Sequence, residues 1–182
     1  FYNQIKIGHV EAGLRTYNKF SPFPEEINRQ LVGNMADLHF SPTERSANNL
    51  ISEGKSKDNI FVTGNTVIDS MSTTVSPNYS HEIFDWVGSN KMILLTAHRR
   101  ENLGKPLENI FNAVKRIVDE YSDVRVVYPI HLNPKIRELA DKIFADCDKV
   151  KMIEPLDVFD FHNFQNRCYI IMTDSGGVQE EA

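Results

Sequence analysis

One histidine and two arginines stand together in Ala97-His98-Arg99-Arg100-Glu101-Asn102. An imidazole beside two guanidiniums suits an anionic ligand, phosphate ahead of carboxylate, because guanidinium presents paired N–H donors and a permanent charge. A second anion-friendly stretch is Thr173-Asp174-Ser175-Gly176-Gly177. Two glycines at a helix start let the backbone approach a ligand closely, the first amides point outward, and Ser175 adds a hydroxyl. It is neither a P-loop, since no lysine–serine pair follows, nor GxGxxG. Glu180 and Glu181 lie one turn further in, where a carboxylate can accept ribose hydroxyls. Other candidates are His131 in Pro129-Ile130-His131, Phe161 as an aromatic beside a base, Glu11 and Arg15 around Gly13, and the pair Glu25-Glu26. Each has a plainer alternative. Arginines pair with nearby acids, glycines make tight turns, Glu11 and Arg15 form an ion pair across a turn, and first-turn glutamates face a helix dipole. A lone histidine is usually structural, and an aromatic at helical spacing usually fills a core.

These groups need elements to position them. Met92-Ile93-Leu94-Leu95 is a buried-strand run that changes abruptly into the His98 cluster, as a parallel strand delivers side chains to its carboxyl edge. That edge is where open parallel sheets bind ligands. Further strands are expected at Val124–Tyr128, Val150–Ile153 and Tyr169–Thr173. Between the first two, Leu107, Ile110, Phe111, Val114, Ile117, Val118 and Tyr121 repeat with a helical period. Asn133 and Pro134 open another helix, and Asp157 caps a short one that carries Phe159 and Phe161. Such alternation means βαβ units, a parallel sheet and a Rossmann-like layer. Earlier in the chain, strands are expected at Ile5–Val10, Leu38–Phe40 and Ile60–Thr63. A helix over Glu25–Met35 follows Pro24, and Ser41-Pro42-Thr43-Glu44 reads as a capping box that opens the next.

Composition narrows the classes. The chain has 182 residues, 41% hydrophobic and 25% charged, with a formal net charge of −5. That is globular material without the basic patch of a nucleic-acid binder. Its apolar runs are strand length, far below a membrane span, and no signal peptide is visible. The two cysteines, Cys147 and Cys168, form no CxxC or zinc pattern, so reduced cytoplasmic thiols and no metal are expected. The most polar, least periodic stretch is 73–90, taken as the crossover between a first domain at 1–72 and a second, nucleotide-binding domain at 91–182.

Seven segments, taken in order, carry a resemblance. They are HVEAGLRT from His9, SPFPEEINR from Ser21, HFSPTE from His39, TGNTVIDS from Thr63, AHRREN from Ala97, YPIHLNP from Tyr128 and DSGGVQEEA from Asp174. Together they resemble the non-hydrolysing UDP-N-acetylglucosamine 2-epimerases of bacteria across the whole chain. The resemblance implies an α/β protein of two Rossmann-like domains in the glycosyltransferase-B arrangement, with the active site in the cleft between them. It implies interconversion of UDP-N-acetylglucosamine and UDP-N-acetylmannosamine for cell-surface polysaccharide synthesis, without a cofactor. The carbon-2 proton is not acidified by a ketone, so a base removes it while UDP leaves carbon 1. A glycal results, and re-addition with protonation from the other face inverts carbon 2.

By motif, the resemblance assigns acid–base work or sugar positioning to Glu11 and Glu25, and places His98 at the UDP leaving group. It makes Ser175, Gly176 and Gly177 the diphosphate cradle, Glu181 the ribose acceptor and Phe161 the uracil neighbour. Arg99, His131 and Glu25 resemble positions around a second UDP-N-acetylglucosamine that acts as an allosteric activator. A homodimer is implied, with neither nucleic acid nor membrane as partner. The chain begins at Phe1 and ends at Ala182, and two complete domains of this kind need about twice the length. Both domains are therefore expected to be incomplete: the opening units, with an early arginine or lysine and a catalytic aspartate, are missing, and the chain alone is expected to be inactive. A glycosyltransferase of the same architecture, a hydrolysing relative and a non-catalytic nucleotide-sugar sensor are the competing readings, because fold does not fix function.

Overall fold

The computed structural model describes residues 1–182, apart from the side chain of Arg100. The chain divides into two compact units, Phe1–Ser70 and Met71–Ala182.

The first unit holds β1 (Gly8–Val10), α1 (Glu25–Met35), β2 (Leu38–Ser41), α2 (Glu44–Ser52) and β3 (Ile60–Val62). The next helix, α3 (Thr66–Thr74), begins in it. Its sheet is parallel throughout, in the order β1-β2-β3. β1 is shorter than the apolar run from Ile5 suggests. Ile7 N donates to the Asp37 side chain (2.8 Å) rather than to a strand, and β2 begins only at Leu38. The cap of α2 also differs from expectation. Ser41 still belongs to β2, paired with Val62, so the capping residue is Thr43, whose Oγ1 accepts from Ser46 N (3.2 Å). α2 ends with Gly54, at φ +84°, just beyond its last turn.

Every expected strand and helix of the regular second half forms. α4 (Glu82–Val87) precedes β4 (Lys91–Thr96), α5 (Lys105–Glu120), β5 (Val124–Pro129) and α6 (Pro134–Phe144). Then come β6 (Val150–Ile153), α7 (Val158–Arg167), β7 (Ile170–Thr173) and α8 (Gly176–Glu181). The four strands are parallel, in the order β6-β5-β4-β7. β4 is apolar on both faces because both are covered. Ile93 and Leu95 pack with Leu107, Phe111, Val114, Ile136 and Phe144 of α5 and α6. Met92 and Leu94 pack on the other side with Ile83, Val87, Val127 and Phe164. The polar stretch 73–90 is tied down as well. Asn163 of α7 accepts from Ser76 N (2.8 Å) and donates to Thr74 O (2.8 Å), and Tyr79 OH donates to Asp160 (2.7 Å). Among the described residues no helix is long and apolar enough to cross a membrane.

Candidate active site

The strand order places the second unit's chemistry. The chain leaves β4 toward β5 on one side and returns on the other as β7, so β4 and β7 are neighbours whose connections diverge. Their carboxyl ends form a topological switch point, the usual ligand crevice of such sheets. The ladder between them closes at Thr96↔Thr173. Thr96 Oγ1 and Thr173 Oγ1 share a hydrogen bond of 2.6 Å, and Thr173 Oγ1 also accepts from Ser175 N (2.9 Å). His98, Arg99 and Asn102 then follow β4, while Asp174, Ser175, Gly176 and Gly177 follow β7.

One carboxylate joins these two loops. Asp174 Oδ2 accepts from His98 N (3.1 Å), Arg99 N (2.9 Å) and Asn102 Nδ2 (2.9 Å). The Arg99 guanidinium lies beside Gly176: a Cβ there would sit 3.4 Å from Nη2, in van der Waals contact. Arg99 Nη1 also pairs with Glu101 (3.2 Å). Ser175 makes no side-chain cap bond to α8, and its Oγ lies 3.9 Å from where a Cβ on Gly177 would sit. Behind the loop, buried Tyr128 donates its hydroxyl to Ala97 O (2.7 Å). Burial and then the Asp174 charge hold the Tyr128 phenol well above its ordinary pKa, so the donor stays protonated.

The His98 and His131 rings lie parallel, 5.5 Å apart with 4° between their planes. His131 Nδ1 accepts from Asn133 N (3.1 Å), which fixes the ring beside the α6 cap. Both histidines line a groove of about 270 Å³ with Thr96, Pro129, Phe161 and Val178. Its apolar walls and few polar tips suit a flat heterocycle beside an anion.

In the first unit, a loop leaves β1 at Glu11 and ends at Glu25, the first residue of α1. Glu11 is exposed and holds φ +58°, a conformation non-glycine residues seldom adopt. Gly13 (φ +86°) packs so tightly on α2 that a Cβ would lie 2.1 Å from Ser46 O; its own carbonyl accepts from Asn49 Nδ2 (2.9 Å). Arg15 does not pair with Glu11. It runs, with its side chain fully buried, to a bidentate pair with Glu53 (2.7 and 2.9 Å). Gly33 makes room for it, since a Cβ there would sit 3.3 Å from Nη2.

Glu25 is exposed, and its neighbour Glu26 is 0% exposed. Glu26 accepts from Thr16 N (2.9 Å), Thr16 Oγ1 (3.2 Å), Tyr17 N (3.2 Å) and Gln30 Nε2 (2.8 Å). Burial alone would raise its pKa. The bonds from Thr16, Gln30 and Tyr17 outweigh burial and hold the carboxyl below its ordinary value.

Comparison with known proteins decides the family. The sequence model of the UDP-N-acetylglucosamine 2-epimerase family matches residues 1–182. The chain belongs to the UDP-N-acetylglucosamine 2-epimerase family. A Bacillus subtilis (strain 168) UDP-N-acetylglucosamine 2-epimerase is 64% identical over the whole chain, which covers 48% of that relative. A solved S. aureus MnaA–UDP co-structure is 62% identical with a TM-score of 0.97; all of this chain aligns with 50% of that one. A UDP-GlcNAc 2-epimerase from Neisseria meningitidis, solved bound to UDP-GlcNAc, is 41% identical with a TM-score of 0.89, over 100% of this chain and 51% of that one. The chain thus spans about half the length of the curated relatives it matches.

Of the residues the epimerase resemblance singles out, the second unit gathers His98, His131 and Phe161 on one groove, and sets Arg99 beside Gly176 at its edge. Glu181 lies apart from them. Its Oε2 accepts from Gln165 Nε2 (2.8 Å), and it lines a separate hollow with Met71, Cys168 and Tyr169. In the first unit Glu11 and Glu25 bracket a single loop.

Sequence reasoning named Glu26 beside Glu25 and Asp174 ahead of Ser175 but gave neither a holding role, and it gave none to Gln165 or Tyr128. Two had a local sign. Glu26 precedes Gln30 by one helical turn, the spacing of a side-chain pair, and Asp174 is the first residue past β7.

Proposed function

We propose that these residues serve the reversible epimerisation of UDP-N-acetylglucosamine at carbon 2, by elimination and re-addition of UDP. Glu11 and Glu25, from the first unit, are the carboxylates for proton transfer or sugar positioning. As the base takes the carbon-2 proton, the C–H electron pair becomes the C1=C2 double bond of the glycal and the C1–O bond breaks toward UDP. His98 stands at that leaving group, with Ser175, Gly176 and Gly177 around the diphosphate, Phe161 beside uracil and Glu181 at the ribose. The developing negative charge then meets donors already in place.

The observation that carries this reading is the convergence of His98 and Arg99 with the Ser175–Gly177 turn at the β4–β7 switch point, beside an apolar groove. Support comes from the relatives: the S. aureus protein was solved with UDP and the Neisseria enzyme with UDP-GlcNAc. We extend the reading to a second UDP-N-acetylglucosamine that acts as activator through Arg99, His131 and Glu25. We extend it also to a homodimer working in the cytoplasm in cell-surface polysaccharide synthesis.

The test is proton NMR of UDP-N-acetylglucosamine in heavy water, with a polypeptide as long as the curated relatives that carries these 182 residues. Formation of the manno epimer with deuterium at carbon 2, lost in Glu11→Gln or Glu25→Gln, is the expected result. An unchanged spectrum with UDP still bound moves the assignment to a transferase or a sensor.

A further inference from the structure

We propose that Asp174 is the positioning residue that sets the His98–Arg99 loop against the Ser175–Gly177 turn, so that both offer their donors to one diphosphate. The proposal rests on reading the second unit as the UDP-binding half.

The geometry is specific. β4 and β7 are adjacent, but no turn connects them, and their ladder closes at Thr96↔Thr173 with one further backbone bond, Asp174 N to Thr96 O (3.2 Å). Beyond that point, among the described residues, no backbone pairing sets one loop against the other. The Asp174 carboxylate continues the connection by side chain. Its Oδ2 collects His98 N (3.1 Å), Arg99 N (2.9 Å) and Asn102 Nδ2 (2.9 Å), while Oδ1 lies 3.3 Å from His98 N. All these donors sit on the His98 loop, 72 to 76 residues away in sequence.

A carboxylate beside a diphosphate site would ordinarily repel the ligand. Here its charge is shared with three N–H donors that meet on Oδ2. An asparagine oxygen in that place would keep the acceptor but lose the charge, and would turn its NH2 toward His98 N, which lies 3.3 Å from Oδ1. Asp174 is absent from the groove that holds His98, His131 and Phe161; it lines a hollow of about 300 Å³ with Leu95, Thr96, Ala97, Ile110, Met172 and Thr173. Its action on ligand is therefore indirect, through the placing of His98 and of the Arg99 guanidinium beside Gly176.

The experiment takes a polypeptide as long as the curated relatives that carries these 182 residues, titrates it with UDP and with uridine by ligand-observed NMR, and follows amide hydrogen exchange at His98 and Arg99. It compares wild type, Asp174→Asn and the milder Asn102→Ala. Asp174→Asn should weaken UDP about tenfold or more while uridine changes less than about twofold, because only the diphosphate meets the displaced donors. The His98 and Arg99 amides should lose protection while Val126, in the buried centre of β5, keeps it. Asn102→Ala should shift UDP the same way by about threefold. Equal losses for UDP and uridine, or an unchanged UDP affinity, overturn the proposal. Binding of neither ligand by wild type counts against the UDP reading alone. The exchange measurement then decides the Asp174 role by itself: unchanged protection at His98 and Arg99 sinks it.

Discussion

Each unit fastens one strand-end loop with a carboxylate, and the two do it in opposite ways. Glu26 in the first unit is fully buried and gathers donors only 4 to 10 residues away, all within one β–α connection. Asp174 in the second is partly exposed and gathers donors 72 to 76 residues away, on a different strand's loop. The first is a local knot within its own β–α unit, beside separate ties from the same loop to β2 and α2. The second is a splice between two strand ends and exists only when the sheet is assembled. In both, several donors converge on the carboxylate: around Glu26 they occupy both oxygens, and around Asp174 they meet chiefly on Oδ2.

The largest test of this contrast concerns where each loop is seated. Gly13→Ala pushes a Cβ to within 2.1 Å of Ser46 O at a positive φ, so denaturant melts should show a loss of about 3 kcal/mol or more. Gly104→Ala, at φ +87° in the second unit but with nothing within 4 Å, should cost only about 1 kcal/mol. Equal costs would mean that the first loop has no tighter seat than the second.

Next comes Glu26→Gln. It keeps the shape but turns an NH2 toward donors, and should cost about 2 kcal/mol at neutral pH. The folded Glu26 carboxyl sits below its ordinary value of 4.5, so wild type gains from ionisation above that pH and loses the gain as pH falls through the folded pKa. The gap between the two proteins should therefore close in acid. A gap that persists at low pH would show that shape, not charge, ties the knot.

A pH scan separates this effect from another in the same unit. His9 and His39 face each other with ring centroids 6.4 Å apart. Burial and then neighbouring cations, including Arg15, lower both below 6.5. Protonation favours the unfolded chain, so stability should begin to fall below about pH 6.5, before the Glu26 limb. His39→Leu should flatten that upper limb.

The smallest effect is expected from Tyr128→Phe in the second unit. It removes one buried bond to Ala97 O and should cost about 1 kcal/mol, while the Asp174 splice continues to hold His98 and Arg99. Loss of amide protection at His98 in this variant would show that Tyr128, not Asp174, sets the loop.

The second unit was the more legible in sequence, because its signals are repetitive. The α5 stripe from Leu107 to Val118 and the run Met92–Leu95 announce a helix and a strand covered on both faces, and both form. What sequence could not disclose is which of two equivalent residues turns inward. Glu25 and Glu26 are chemically identical neighbours; the phase of α1 buries the second and exposes the first. Ser41 and Thr43 are both good caps, and the ladder to Val62 claims Ser41. Partners far apart were equally hidden. Arg15 finds Glu53 rather than Glu11, Gln165 finds Glu181, and Asp174 finds a loop in a different β–α connection. Their pairing follows from strand order, which periodicity does not encode.

The order β6-β5-β4-β7 also sets a timetable. During synthesis β4, β5 and β6 emerge first and can pair while one flank of β4 stays open. Asp174 comes 72 to 76 residues after the donors it gathers, so until β7 arrives the His98 loop lacks that anchor and keeps the Tyr128 bond to Ala97 O. Closing so long a loop is slow and comes late. The His98 loop of this unit is therefore among the last parts to set, and a chain stalled before residue 170 would carry β4, β5 and β6 without the Asp174 splice.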